Sequence, residues 1–88
     1  MVITRELVAE KLSAYLQGRE QLADLVSWAE TTMCDGDFDR ADVATIRDVV
    51  SRLGLADVAA FGLTWEDAVE MLSRLGYQAK VVVQAVPA

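Results

Sequence analysis

The chain has 88 residues, 53% hydrophobic and 25% charged, with 14 Asp and Glu against 8 Lys and Arg, no His, and a formal charge of −6. That balance excludes a disordered chain, one Cys excludes a disulfide scaffold, and one Pro with five Gly excludes collagen-like or linker behaviour. Without His, the commonest general base and the commonest metal ligand are missing.

A first helix is predicted over residues 5–17. Thr4 is its N-cap, and Ile3 and Val8 are spaced as a hydrophobic staple across that cap. Val8, Leu12, Tyr15 and Leu16 share one face, Lys11 snorkels beside them, and Gly18 stands where a left-handed C-terminal residue is wanted. The second helix has the clearest pattern: Leu22, Leu25, Val26, Ala29 and Met33 form a continuous stripe. The short link around Gly18 predicts an antiparallel helical hairpin.

A third helix is predicted after Asp37 or Asp39, either of which can cap it, with Val43, Ile46, Val49, Val50 and Leu53 facing inward. Gly54 stops it and Leu55 is placed for a Schellman contact. A short fifth helix is expected at residues 56–61, closed by Gly62. Thr64 then caps the last helix, with Asp67 at the capping-box position and Trp65, Ala68, Val69, Leu72 and Leu75 as the buried face. Ser51-Arg52-Leu53-Gly54-Leu55 echoes Ser73-Arg74-Leu75-Gly76-Tyr77, which reads as two helix stops using the same chemistry rather than as a repeat.

The tail changes character. Lys80-Val81-Val82-Val83-Gln84 is β-branched and too short for a helix, so residues 79–86 are expected to form a strand that wants cover on both faces. Its backbone needs a partner: Val2 and Ile3, the same strand of a second copy in a symmetric dimer, or a partner that orders a frayed end. The whole chain is thus expected to be a single mainly α domain, a small bundle of four main helices and one short helix with a C-terminal β-strand. A domain this small hides only roughly 60–70% of its unfolded surface, so part of the apolar content is expected to be satisfied between chains.

Candidate chemistry is sparse. Asp35, Asp37 and Asp39 occupy the first, third and fifth positions of a calcium-binding loop, but Arg40 replaces its glycine and Ile46 its bidentate glutamate, so a turn and N-cap are expected instead. Cys34 has no histidine to activate it, and Glu66 with Glu70 reads as a solvated pair. No enzymatic activity, cofactor or metal is expected. Trp28 lies at the edge of its stripe, either packed on a neighbouring helix or serving as a partner-facing anchor; Trp65 is read as core. The expected partner-binding residues are Trp28, the acidic trio Asp35, Asp37 and Asp39, and the valines Val81, Val82 and Val83.

Tyr15-Leu16-Gln17-Gly18, leading to Leu22, Leu25 and Trp28-Ala29-Glu30, resembles the helical hairpin of bacterial colicin- and bacteriocin-type immunity proteins over about the first third of the chain. The resemblance implies a small acidic bundle that neutralises a basic nuclease toxin by covering its active site. Composition points the same way, toward a basic protein partner, and the acidic segment from Glu20 to Asp48 is its centre. Two alternatives stand beside it. One is a helix–turn–helix DNA-binding regulator, opposed by carboxylates at Glu66 and Asp67; the other is a self-associating adaptor domain. Arg5, Glu6, Glu10 and Lys11 break up any signal-peptide core, no apolar run spans a membrane, and a lone thiol fits a reducing cytoplasm.

Overall fold

The computed structural model describes residues 2–58, 62–81 and 83–86. Four helices, α1 (Arg5–Leu16), α2 (Leu22–Asp35), α3 (Val43–Leu53) and α4 (Trp65–Arg74), surround one core, accompanied by two short strands, β1 (Val2–Ile3) and β2 (Asp37–Phe38). Thr4 caps α1 by accepting a hydrogen bond from the Leu7 amide at 3.2 Å, and Ile3 and Val8 on either side of it are both buried in the core. Gly18, with φ 76°, ends the helix in a Schellman motif: the Gly18 and Arg19 amides donate to the Tyr15 and Ala14 carbonyls.

α2 buries Leu25, Val26, Ala29 and Thr32, and packs chiefly on α3, whose Ile46, Val49, Val50 and Leu53 are fully enclosed. α1 crosses this pair and also meets α4. In α4 the capping box is complete: the Thr64 hydroxyl accepts from the Asp67 amide at 3.1 Å, and the Asp67 carboxylate accepts from the Thr64 amide at 3.0 Å.

The strands lie at the N-terminus and mid-chain, and the expected C-terminal strand is not found among the described residues. β1 pairs with β2 in parallel, Val2 opposite Asp37 and Ile3 opposite Phe38, and the Asp39 amide extends the ladder to the Ile3 carbonyl at 3.0 Å. Residues 78–81 and 83–86 carry no regular structure, and Val82 lies outside the described residues. β1 pairs with β2, mid-chain, rather than with the valines, and among the described residues no strand lies beside them.

Five further expectations are corrected. α3 starts at Val43, after a 3₁₀ turn over Arg40–Asp42, and it is this turn that Asp39 caps, its carboxylate accepting from the Ala41 amide at 3.1 Å. Val43 sits in the first turn of α3, clear of the core, and is 40% exposed rather than inward. Gly54 stays right-handed, with φ −63° and ψ −16°, and the chain runs on through i→i+3 turns that bury Ala56. The short helix expected at 56–61 falls partly outside the described residues; its described part, 56–58, is turn. Finally, Trp65 is 43% exposed, because the buried face of α4 runs through Ala68, Met71, Leu72 and Leu75 instead.

Candidate functional site

An open cleft of about 1070 Å³ lies between α1, α4 and the segment that follows Gly76. The α1 wall is one helical face: Glu6, Glu10, Ser13 and Gln17 recur at three- and four-residue steps, with Ala9 and Leu16 beside them. Trp65 and Leu72 come from α4. Trp65 is delivered there by its cap, since Thr64 fixes the helix start and leaves Trp65 in the first, half-free turn.

The third wall is made by a chain reversal. Gly76, at φ 92°, closes α4 in a Schellman motif in which the Gly76 and Tyr77 amides donate to the Ser73 and Leu72 carbonyls, at 3.0 and 2.8 Å. Tyr77, Ala79, Lys80 and Val81 then follow along the cleft. Its chemistry is mixed: two aromatics, small and aliphatic side chains, and carboxylates at Glu6 and Glu10. Arg5 stands 3.4 Å from Glu6 and Arg19 3.6 Å from Glu10, all four well exposed. Its own backbone amide, with help from the Arg5 and Thr4 side chains, holds the Glu6 carboxyl below its ordinary value. Ser13 accepts a hydrogen bond from Gln17 at 3.1 Å. Polar and apolar side chains are thus mixed along its walls.

A smaller cavity of about 200 Å³ separates α3 from α4. It is stitched by charge: Arg74 to Asp48 at 2.7 Å, Arg52 to Asp67 at 3.5 Å, and Arg52 also donating to the Gly62 carbonyl at 3.0 Å. These groups hold the two helices together.

The residues singled out from sequence are scattered. Trp28 is half-buried against the core, and Lys11 of α1 lies over its ring, 5.4 Å from the centroid, while reaching Glu20 at 3.5 Å. Asp35 ends α2, Asp37 lies in β2, and Asp39 is occupied as a cap. Val81 lines the cleft and is 70% exposed, and Val83 is 90% exposed. The cleft that Val81 lines contains neither Trp28 nor any of the three aspartates. Cys34 is exposed, as are Glu66 and Glu70. Among the described residues no three of His, Cys, Asp and Glu are placed to hold a metal ion, and no helix is long and apolar enough to cross a membrane.

Sequence reasoning missed Trp65, Tyr77, Glu6 and Glu10 as neighbours. The available signal was Trp65 directly after a capping threonine, a position whose side chain escapes the helix stripe. No protein-family model, curated protein or solved structure matches the chain.

Proposed function

We propose that the chain is a non-catalytic, acidic protein-binding domain whose partner is a basic protein, in the manner of an immunity protein or antitoxin. The observation that carries this reading is the segregation of its charges. Five ion pairs are spread over α1, α3, α4 and the α1–α2 link: Arg5–Glu6, Lys11–Glu20, Arg19–Glu10, Arg52–Asp67 and Arg74–Asp48. Of the nine carboxylates that form none among the described residues, six (Asp24, Glu30, Asp35, Asp37, Asp39 and Asp42) lie on α2 or the turn after it, with Arg40 among them, while Asp57, Glu66 and Glu70 lie elsewhere. Asp24 and Asp35 are eleven residues apart, about 20° on a helical wheel, so they mark one line along the exposed side of α2 that continues to Asp37. Carboxylates left without cations present a field that steers a basic partner and sets its orientation. A separate pair of carboxylates favours this reading over DNA binding, since Glu66 and Asp67 fill the first turn of α4, where a recognition helix meets phosphate.

The test is association with the partner recovered from the source cells, followed against ionic strength. Steered binding slows steeply as salt rises, and the triple variant D24N/D35N/D37N loses about tenfold in association rate while dissociation changes little. A complex indifferent to both salt and the triple substitution overturns the proposal.

A second reading, self-association through the tail, is supported by one separate observation: Val81, Val83 and Val86 expose 70%, 90% and 87% of their surface, more than the other exposed aliphatics Val2, Val43, Leu55 and Val58, which reach 54% at most. Three such residues in one short stretch form an apolar strip that water covers poorly. Sedimentation across a dilution series tests it. A mass that stays monomeric at every concentration removes it.

A further inference from the structure

The cleft beside α1 and the exposed valines next to it answer each other. We propose that two copies of the chain associate by laying the stretch from Lys80 to Gln84 of each along the other's α1 cleft, antiparallel to the resident tail. This rests on the self-association reading above and names the surface it uses.

Dimensions allow it. The α1 wall from Glu6 to Gln17 is about 16 Å long at about 1.5 Å per residue. An extended chain from Lys80 to Gln84 covers about 13 Å at about 3.3 Å per residue. Within its own chain the tail seats incompletely: it lines the cleft through Val81 and Gln84, yet Val81 and Val83 remain mostly exposed. Among the described residues no backbone–backbone hydrogen bond involves any residue after Tyr77. An antiparallel second strand supplies those bonds, and the facing cleft covers the second side of the valines.

Charge permits it. Lys80 is the sole charged side chain after Arg74, so the tail is weakly cationic, and the α1 wall carries the exposed carboxylates of Glu6 and Glu10, each already beside one arginine, Arg5 or Arg19. Each copy both gives a tail and receives one, the self-complementary arrangement that closes as a two-fold dimer without leaving a free end.

The test compares full-length variants by light scattering, with helix content checked by circular dichroism. S13W fills the receiving wall and leaves the tail intact; V81D/V83D spoils the tail and leaves the wall intact. The wild type is expected to double its monomer mass on concentration, and each variant to raise the dissociation constant at least about tenfold. A wild type that stays monomeric overturns self-association itself. A dimer lost in V81D/V83D but kept in S13W leaves tail pairing standing and overturns the cleft. In W28F, Trp65 is the sole indole, and its emission is expected to move to the blue as the dimer forms. A dimer that leaves that emission unchanged overturns the cleft equally, whether or not S13W folds.

Discussion

Ile3 and Gly36 meet at the end of α2 with no room between them. A Cβ placed on Gly36 would stand 3.2 Å from the Ile3 Cγ1 and collide with the Thr32 carbonyl oxygen. The glycine is extended, with φ −72° and ψ 144°, a conformation open to every residue, so its requirement is steric. It is what allows β1 to lie against the helix end and Ile3 to be 4% exposed. G36A is expected to cost about 1–3 kcal/mol, because the obstructing oxygen belongs to backbone and cannot turn aside. Urea unfolding measures it. The Asp39 amide, bonded to the Ile3 carbonyl, should also exchange faster in the variant.

Gly54 and Gly76 respond in opposite directions to alanine. Gly76 has φ 92°, which an L side chain adopts at a cost of roughly 1–2 kcal/mol, so G76A destabilises. Gly54 is right-handed, and the nearest atom to an added Cβ is the Ser51 carbonyl oxygen at 3.4 Å, an ordinary contact. G54A therefore restricts the unfolded chain without straining the folded one and is expected to stabilise by about 0.4–1 kcal/mol. Thermal midpoints of the two variants, moving apart on either side of the wild type, are the check.

That pair also shows where sequence stops being enough. Ser51 to Gly54 and Ser73 to Gly76 spell the same four residues, a pattern that predicts the same left-handed stop at both. What separates them is downstream: Ala56, two residues after Gly54, is drawn into the interior, which keeps the chain turning through Gly54, whereas Gln78, two residues after Gly76, is exposed and the chain there reverses along the cleft. The four helices, their caps at Thr4 and Thr64 and the stripe of α3 were legible because propensity, capping and period agree there. β2 was not, since Asp37-Phe38 carries turn composition and becomes a strand only through contact with β1. The cleft was illegible for the same reason, being assembled from α1, Trp65 and the tail, which are far apart in sequence.

The reciprocal hydrogen bonds of Thr64 and Asp67 make the start of α4 sensitive to acid. The Thr64 amide first, then the Thr64 hydroxyl and the Arg52 guanidinium, hold the Asp67 carboxyl below its ordinary 3.8. A carboxyl lowered by folding binds fewer protons in the native state, so its contribution is full above about pH 3.8 and is lost as pH falls through the folded value. Stability should therefore drop below pH 4 in the wild type, and D67N should flatten that part of the curve while leaving the rest parallel. T64A removes the hydroxyl cap and is expected to cost about 1 kcal/mol at neutral pH. Urea midpoints at pH 3 and pH 6 for all three chains decide it, and a D67N curve as steep as the wild type's would assign the acid sensitivity elsewhere.

Lys11 ties α1 to α2 through its position over the Trp28 ring at 5.4 Å, and to the link before α2 through its ion pair with Glu20 at 3.5 Å. Both charges are partly withdrawn from water, with side chains 30% and 16% exposed, so neither interaction is a fully solvated surface pair. K11M keeps the aliphatic stem that covers the indole and removes only the ammonium. The expected loss is about 0.5–1 kcal/mol for the cation–π contact, with a further fraction of a kcal/mol from the released Glu20. Salt separates the two contributions, because at 1 M the screening length falls to about 3 Å and the ion pair weakens more than the ring contact. The difference between wild type and K11M should accordingly narrow at high salt without closing. In a W65F background the Trp28 emission should shift in K11M at both salt concentrations. If the emission stays fixed and the gap closes completely, Lys11 acts on Glu20 alone and the indole is held by its apolar neighbours.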